Sequence, residues 1–518
     1  MLATIAALSV CLSMGDLVPH VDRVAAMQKR EADWRIGPVV YQVFVDRFAP
    51  PASIGSKADL YKSPRRLMGW DRSPERGVNR PEVGVWSHEL DFWGGDLASL
   101  QGKLGHVADL ADVLYLNPIH EALTNHKYDA THWDRIAPEY GDWTGFEALA
   151  SDVHQRKMRL VLDGVFNHSG KSNPMFKEAL GDEKSQYRDW FTFDKALPHG
   201  YRAWAGVANL PEVKLENIAT RKYLWIDDGS VVAKYLKAGA DGWRLDVAHE
   251  LGFEFLKELT ESAHRHKQGS LVIGEAWNYP SRWTENMDGI LSMFLGRLIL
   301  DYTRGDFTSR QFADGLKEMI ADCGIEPVLR SWVVLGNHDT ERLATALPKP
   351  ADRRFAQALQ FVLPGAPLLY YGDELGMVGE GDPLQRAPMR WDLVNDKNED
   401  LAWMRKLAKL RRSVRAIQIG DCRVMSSEKA LAFLRTTERP LEAAIVLANP
   451  TSAPITESWV VPDPTLMGFT LLRDVLNGET ARVQAGTLRV TIPPQTVRVF
   501  IIDDEAAPRG QYKRMKDG

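Results

Sequence analysis

The stretch DGWRLDVAHE, residues 241–250, sets Arg244 and Asp246 two positions apart in a segment otherwise built for burial. Side chains two apart on a β-strand point to the same face. Arg244 and Asp246 therefore share a face, either a polar piece of core or the wall of an active site. The segment has neighbours of the same kind. Short runs rich in Val, Ile, Leu and Tyr stand at 39–45 (VVYQVFV), 112–119 (DVLYLNPI), 159–166 (RLVLDGVF), 270–277 (SLVIGEAW), 288–295 (DGILSMFL), 331–337 (SWVVLGN) and 366–372 (APLLYYG). With 241–247 they make eight candidate strands. Runs of this texture suit strands buried on both faces, as parallel sheets require. Helical segments such as 96–110 (DLASLQGKLGHVADL) and 144–158 (TGFEALASDVHQRKM) fall between most of them. Eight strands alternating with helices predict an α/β fold, a (β/α)8 TIM barrel.

Two long interruptions and one change of texture complete the outline. Residues 49–92 follow the first strand and are rich in Pro, Gly, Arg and Trp; residues 170–222 follow the third and show no clear periodicity. Both leave carboxyl ends of strands, where barrel active sites lie, and loops of that length are usually functional. From about residue 415, short alternating strands (LAFLRTT, EAAIVLAN, FTLLRDVL, LRVTIPP, TVRVFIID) predict a C-terminal antiparallel β-sandwich. The expected division is an N-terminal extension over 1–37, the barrel over 38–169 and 223–414, an inserted loop region over 170–222, the sandwich over 415–505 and a polar tail over 506–518.

Composition narrows the function classes. The chain has 518 residues, 44% hydrophobic and 26% charged, with a formal net charge of −5. No run of Lys or Arg supports nucleic-acid binding. No apolar run is long enough to span a membrane. Cys11, Cys323 and Cys422 are too far apart for a metal motif, and an odd count argues against a disulfide framework. The apolar start MLATIAALSVCLSMG carries no Lys or Arg before Arg23, whereas a signal peptide wants a basic start. A cytoplasmic location is favoured, with a periplasmic or secreted one if that start acts as a signal. Oligomeric state is left open. Sixteen tryptophans is a high count for this length, and indole faces stack on sugar rings.

Polar residues gather at the ends of several strands: Asp163, Asn167 and His168 after the third, Arg244 and Asp246 on the fourth, Glu275 on the fifth, Asn337, His338 and Asp339 on the seventh. One alone would read as a cap or a core hydrogen-bonder. Together they aim three carboxylates, Asp246, Glu275 and Asp339, at one spot, and like charges there are unfavourable unless a task uses them. Paired carboxylates in different environments suit glycosidic bond cleavage. Arg244 is expected to hold Asp246 ionised. Ala276 and Trp277 give Glu275 an apolar neighbourhood that would raise its pKa, as an acid needs.

The motifs DGVFNH (163–168), GWRLDVAHE (242–250), IGEAW (273–277) and LGNHDT (335–340), in order and one per strand, resemble the α-amylase family, glycoside hydrolase family 13. The similarity covers roughly 38–505 and is nearest the neopullulanase, cyclomaltodextrinase and maltogenic amylase branch. Supporting stretches are YQVFVDRF, FWGGDL, NHKYDATHW and PGAPLLYYGDELGM with GDPLQR. The resemblance implies a retaining glycosidase that cleaves α-1,4-glucosidic bonds of maltooligosaccharides, cyclodextrins or related α-glucans through a covalent glycosyl-enzyme. It implies Asp246 as nucleophile, Glu275 as acid/base and Asp339 as the third carboxylate. His168 and His338 would donate to the same sugar, with Tyr128 as stacking platform and His126 nearby. Asp382 and Arg386 would close the far side of the first subsite, although an ordinary loop ion pair is an equal reading. Glu250 would meet the leaving-group sugar, against the alternative of a helix cap.

The resemblance implies no required cofactor, and the only partner expected is an α-glucan oligosaccharide. Calcium has no clear site. The Asn/Asp run that often binds it is replaced by APPASIGSKAD (49–59), and Asp96 alone does not make one. The first strand begins near residue 39, so dimerisation through the β-domain that commonly precedes the barrel in that branch is not expected. NLPEVKLEN (209–217) resembles the branch's Pro-Lys-Leu-Asn motif only loosely, which leaves linkage specificity open. The alternatives are an α-glucan transglycosylase, a general starch α-amylase, and an inactive carbohydrate-binding relative. The last is disfavoured because all three carboxylates stand.

Overall fold

A computed structural model describes residues 20–503. The apolar start, Cys11 and the polar tail lie outside the described residues. Eight parallel strands close into a barrel: β1 (Val40–Val43), β2 (Val113–Leu116), β3 (Arg159–Gly164), β4 (Gly242–Leu245), β5 (Leu271–Ala276), β6 (Gly289–Ser292), β7 (Trp332–Val334) and β8 (Ala366–Tyr370). Each strand pairs with its neighbours in sequence, and β8 closes onto β1. The apolar runs overshoot the strands at both ends. The run at 288–295 stops being a strand at Met293, where helix Met293–Arg304 begins. Likewise the chain turns helical at Val45–Phe48 directly after β1.

Alternation along the strands divides the core. Val40, Tyr115, Val161, Ile273, Leu291, Trp332 and Leu368 point inward and fill the barrel. Leu114, Leu116, Leu160, Leu162, Trp243 and Leu245 point outward against the helices. Following the inward face towards the carboxyl ends, the apolar layer gives way to Gln42, Asp163, Arg244 and Glu275, all buried. Register sets Arg244 directly beside Asp163 on β3. Helix Met293–Arg304 packs very close to β7: a Cβ on Gly296 would fall 1.8 Å from the carbonyl oxygen of Val334.

The 170–222 excursion carries helix Pro174–Gly181, capped by Asn173, and returns through a helical stretch from Ile218 to Ile226. Beyond the barrel follow β9 (Asp421–Val424), β10 (Leu431–Thr436), β11 (Ala443–Asn449), β12 (Ile455–Val460), β13 (Leu471–Asp474), β14 (Thr480–Gln484), β15 (Thr487–Ile492) and β16 (Thr496–Ile502). They form an antiparallel sheet in the order β9-β10-β11-β16-β13-β14-β15-β12. Ile445 on β11, Trp459 on β12 and Leu488 on β15 share one core, so the sheet folds over itself as two layers.

Helix His20–Ala32 straps this domain to the barrel. Buried Arg30 meets Glu326 at 2.7 Å and Asp421 at 2.8 Å. No helix of the described residues is long and apolar enough to cross a membrane.

Candidate active site

The inward polar residues open into a cavity of about 790 Å³ at the carboxyl ends of the strands. Tyr128, His126, His168, Asp246, Glu275, His338, Asp339, Asp382 and Arg386 all line it. Two residues of the expected set stand elsewhere. Arg244 lies beneath the floor with no solvent exposure. Glu250 stands at the rim in the short helix Ala248–Leu251, where Asn167 Nδ2 donates to its Oε2 at 3.0 Å.

Arg244 organises the floor. Its Nη1 donates to Asp163 Oδ1 at 2.8 Å and to Asp246 Oδ1 at 2.9 Å. Its Nη2 lies 2.9 Å from Glu275 Oε2, an ion pair outside hydrogen-bonding alignment. One guanidinium thus touches both carboxylates proposed to react. The chain between them is bent sharply. Val247 has φ +44° and ψ +41°, the left-handed region that a β-branched residue rarely adopts. That turn ends β4 at the right point to aim the Val247 N–H at Glu275 Oε2, 3.1 Å away. Strain of this kind costs about 1–3 kcal/mol and persists where the surroundings enforce it.

The surroundings of Asp246 and Glu275 are more polar and more crowded than the sequence suggests. Burial pushes the Asp246 carboxyl well above the usual carboxylate range; Arg244 opposes this, and Glu275, Asp163 and Asp339 reinforce it. Arg244 favours the charged form of Asp246, but it is shared with Asp163 and Glu275 rather than given to Asp246 alone. Nor is Glu275 in an apolar setting. The indole N–H of Trp277 donates to its Oε1 at 2.9 Å, and Arg244 and the Val247 amide face its Oε2. Burial also raises Asp163, against Arg244 and the Tyr115 hydroxyl, which donates to it at 2.6 Å.

Tyr128 forms the side wall. Its hydroxyl donates to Asp163 Oδ2 at 2.8 Å, accepts from Asn117 Nδ2 at 2.9 Å and meets His338 Nε2 at 2.6 Å. The rings of Tyr128 and His338 are nearly parallel, 5.3 Å apart. Gln42 Nε2 donates to His338 Nδ1 at 2.9 Å, which leaves the ring proton on Nε2. Burial, with Arg386 and Arg244 adding, keeps His338 well below its usual pKa and therefore neutral. Burial likewise lowers His168 to about 3. The Tyr128 backbone offsets that burial in part, no side chain hydrogen-bonds to the ring, and Nε2 lies 4.0 Å from Asp246 Oδ2. A buried imidazole that lines a cavity with no side-chain partner suits a ligand hydroxyl.

On the far side Arg386 Nη2 donates to Asp339 Oδ1 at 3.2 Å, and its Nη1 pairs with Asp382 Oδ1 at 2.9 Å. Burial would raise the Asp382 carboxyl, but the contacts with His88 and Arg386 hold it well below the usual range. His88, which backs Asp382, was not singled out from the sequence, nor were Trp86 and Trp204, which line the cavity. They sit in the two long loops, whose length and tryptophan content were the only signal. In the other loop motif, Glu212 is pushed up by burial, against Arg202, with Glu250 adding.

Lys57, within the APPASIGSKAD stretch, donates from Nζ to Gly94 O at 2.9 Å and to Asp96 Oδ2 at 2.7 Å, while Asp96 Oδ1 caps Ser99 at 2.7 Å. An ammonium already neutralises that carboxylate. Among the described residues no group of three or more His, Cys, Asp or Glu is arranged to hold a metal.

Known proteins resemble this chain along most of its length. The α-amylase catalytic-domain family model matches residues 42–409. The chain is 29% identical over 477 residues to neopullulanase 2 of Thermoactinomyces vulgaris, covering 89% of this chain and 77% of that protein. It is 28% identical over 508 residues to a cyclomaltodextrinase of Geobacillus thermopakistaniensis, covering 94% and 80%. Among solved structures, the ligand-free cyclic α-maltosyl-(1→6)-maltose hydrolase of Arthrobacter globiformis aligns with a TM-score of 0.75 at 28% identity, over 91% of this chain and 99% of that one. With the family's catalytic domain matched along most of the barrel, the chain belongs to the α-amylase family of glycosidases, in the branch of the neopullulanases and cyclomaltodextrinases.

Proposed function

We propose that the chain hydrolyses short or cyclic α-1,4-glucans with retention of anomeric configuration. The observation that carries the reading is the single guanidinium of Arg244 placed 2.9 Å from an oxygen of Asp246 and 2.9 Å from an oxygen of Glu275. Two carboxyls held on one planar group are close together. Retention uses a separation of about 5–5.5 Å, whereas inversion leaves roughly 6.5–9.5 Å for a water.

In this reading a glucosyl ring stacks on Tyr128. His168, His338 and Asp339 take its hydroxyls. Asp246 attacks the anomeric carbon as the glycosidic bond breaks, and Glu275 gives its proton to the leaving oxygen. The ester formed on Asp246 is then opened by water. Glu275 takes the water's proton as the new carbon–oxygen bond forms, which restores both carboxyls. Two inversions at one carbon give net retention. The chemistry needs one proton in the cluster, on Glu275, and Asp246 free of it.

Support for small substrates comes from Glu250, held at the rim by Asn167 where a leaving-group sugar would emerge. It comes too from the relatives, two of which are named for pullulan and cyclic maltodextrin. Comparing kcat/KM on β-cyclodextrin, maltotriose, pullulan and soluble starch tests it. The small or cyclic substrates are expected to lead; a preference for starch over all of them would make the enzyme a general α-amylase.

A further inference from the structure

Among the described residues two tryptophans expose about half of their surface, Trp86 at 49% and Trp277 at 52%. Both line the catalytic cavity. Trp277 is accounted for by its hydrogen bond to Glu275. Trp86 is not. It ends a hairpin in the loop after β1, in which Asn79–Arg80 pairs with Val85–Trp86. The loop that carries Trp86 leaves β1 and Trp277 follows β5, strands that lie opposite each other in the closed barrel.

Trp86 is anchored to the wall of the first subsite. Its ring stacks on His88, centroids 6.3 Å apart and planes at 28°. His88 Nε2 lies 3.1 Å from Asp382 Oδ2, and Asp382 pairs with Arg386, which reaches Asp339. The backbone N–H of Trp86 donates to Glu89 Oε2 at 2.6 Å, and Glu89 Oε1 lies 3.5 Å from His126. The tip of the hairpin is fixed as well. Gly84, at φ +77°, leans on the loop after β3: a Cβ built there would lie 3.6 Å from the Cβ of Asn209. A large apolar ring stacked on one neighbour, on a hairpin with contacts at its base and tip, and with half of it left in water, adds little to folding. It is the arrangement of a surface kept for a ligand.

We propose that Trp86 is the stacking platform of a second glucosyl subsite, one ring beyond Asp382 on the side away from the leaving group. It rests on the reading of Asp246 and Glu275 as glucan-cleaving. Its ligand is the next α-1,4-linked glucose towards the non-reducing end.

Two substrates separate this subsite from the first. α-Glucosyl fluoride fills only the first, with fluoride as leaving group; maltotriose reaches further. For Trp86→Ala, kcat/KM on maltotriose should fall at least tenfold more than on α-glucosyl fluoride, mainly through KM. Trp86→Phe, which keeps an aromatic face, should keep the ratio of the two substrates within about threefold of wild type. Equal losses on both substrates, or no loss on maltotriose, would overturn the platform while leaving the catalytic reading intact. If the wild type turns over neither substrate, the catalytic reading fails. Calorimetric titration with maltotriose then decides the platform: weaker binding by Trp86→Ala supports it, and unchanged binding overturns it.

Discussion

Arg244 is buried without solvent exposure among Asp163, Asp246 and Glu275. Replacing it by methionine leaves those carboxylates crowded and unpaired. Breaking a buried pair from one side costs about 3–5 kcal/mol, so Arg244→Met should lower the urea midpoint clearly and abolish turnover. A midpoint equal to wild type would mean that the guanidinium does not neutralise the floor. Asp246→Asn should keep the fold by circular dichroism and lose turnover; activity near wild type would remove it as nucleophile. Glu275→Gln should lose roughly 10²–10⁴-fold on glucans, because the leaving oxygen needs a proton. A donor with a good leaving group bypasses that first step, and azide should then give a glycosyl azide. The positions of these residues are legible in sequence because period two and the strand ends place them. Their environments are not. That Trp277 and the Val247 amide donate to Glu275 depends on a left-handed turn and an indole orientation, and neither leaves a mark in local composition.

The barrel strands are readable as apolar runs because both of their faces are buried. Their ends are not, since hydrophobic texture continues into the helices that pack on them, as at Met293. In the second domain β9, β12 and β14 escape the same reading. β12, for example, buries Ile455 and Trp459 but exposes Thr456, Glu457 and Val460 to varying degrees, so its sequence looks polar. The two long loops announce themselves by length and tryptophan content; which of their residues reach the cavity is a tertiary matter. Helix–strand packing offers a sharp test of the architecture. Gly296→Ala would drive a methyl into the Val334 carbonyl, so either the helix shifts or β7 does. Overpacking of this kind costs about 1–3 kcal/mol or more, measurable by denaturant unfolding. A neutral Gly296→Ala would show that helix Met293–Arg304 does not sit against β7 as described.

Across the whole molecule, buried neutral histidines tie stability to pH. Burial lowers His120 to about 4 and His168 to about 3. The unfolded chain accepts protons on both below about pH 6.5, and the folded chain refuses them until those lower values. Their contribution is therefore complete above about pH 6.5 and is lost as the pH falls, on the order of a few kcal/mol in all. The Tm should drop between pH 7 and 4.5, and His120→Gln should lose less over that interval than wild type. An equal loss in the variant would show that His120 is not held neutral. The central claim is that one carbon is inverted twice, on Asp246 and then by water activated at Glu275. Proton NMR of the first-formed product from maltotriose or a cyclodextrin tests it most directly. The α-anomer signal should rise first and give way to the β-anomer only by mutarotation; a β-anomer formed first would contradict the mechanism.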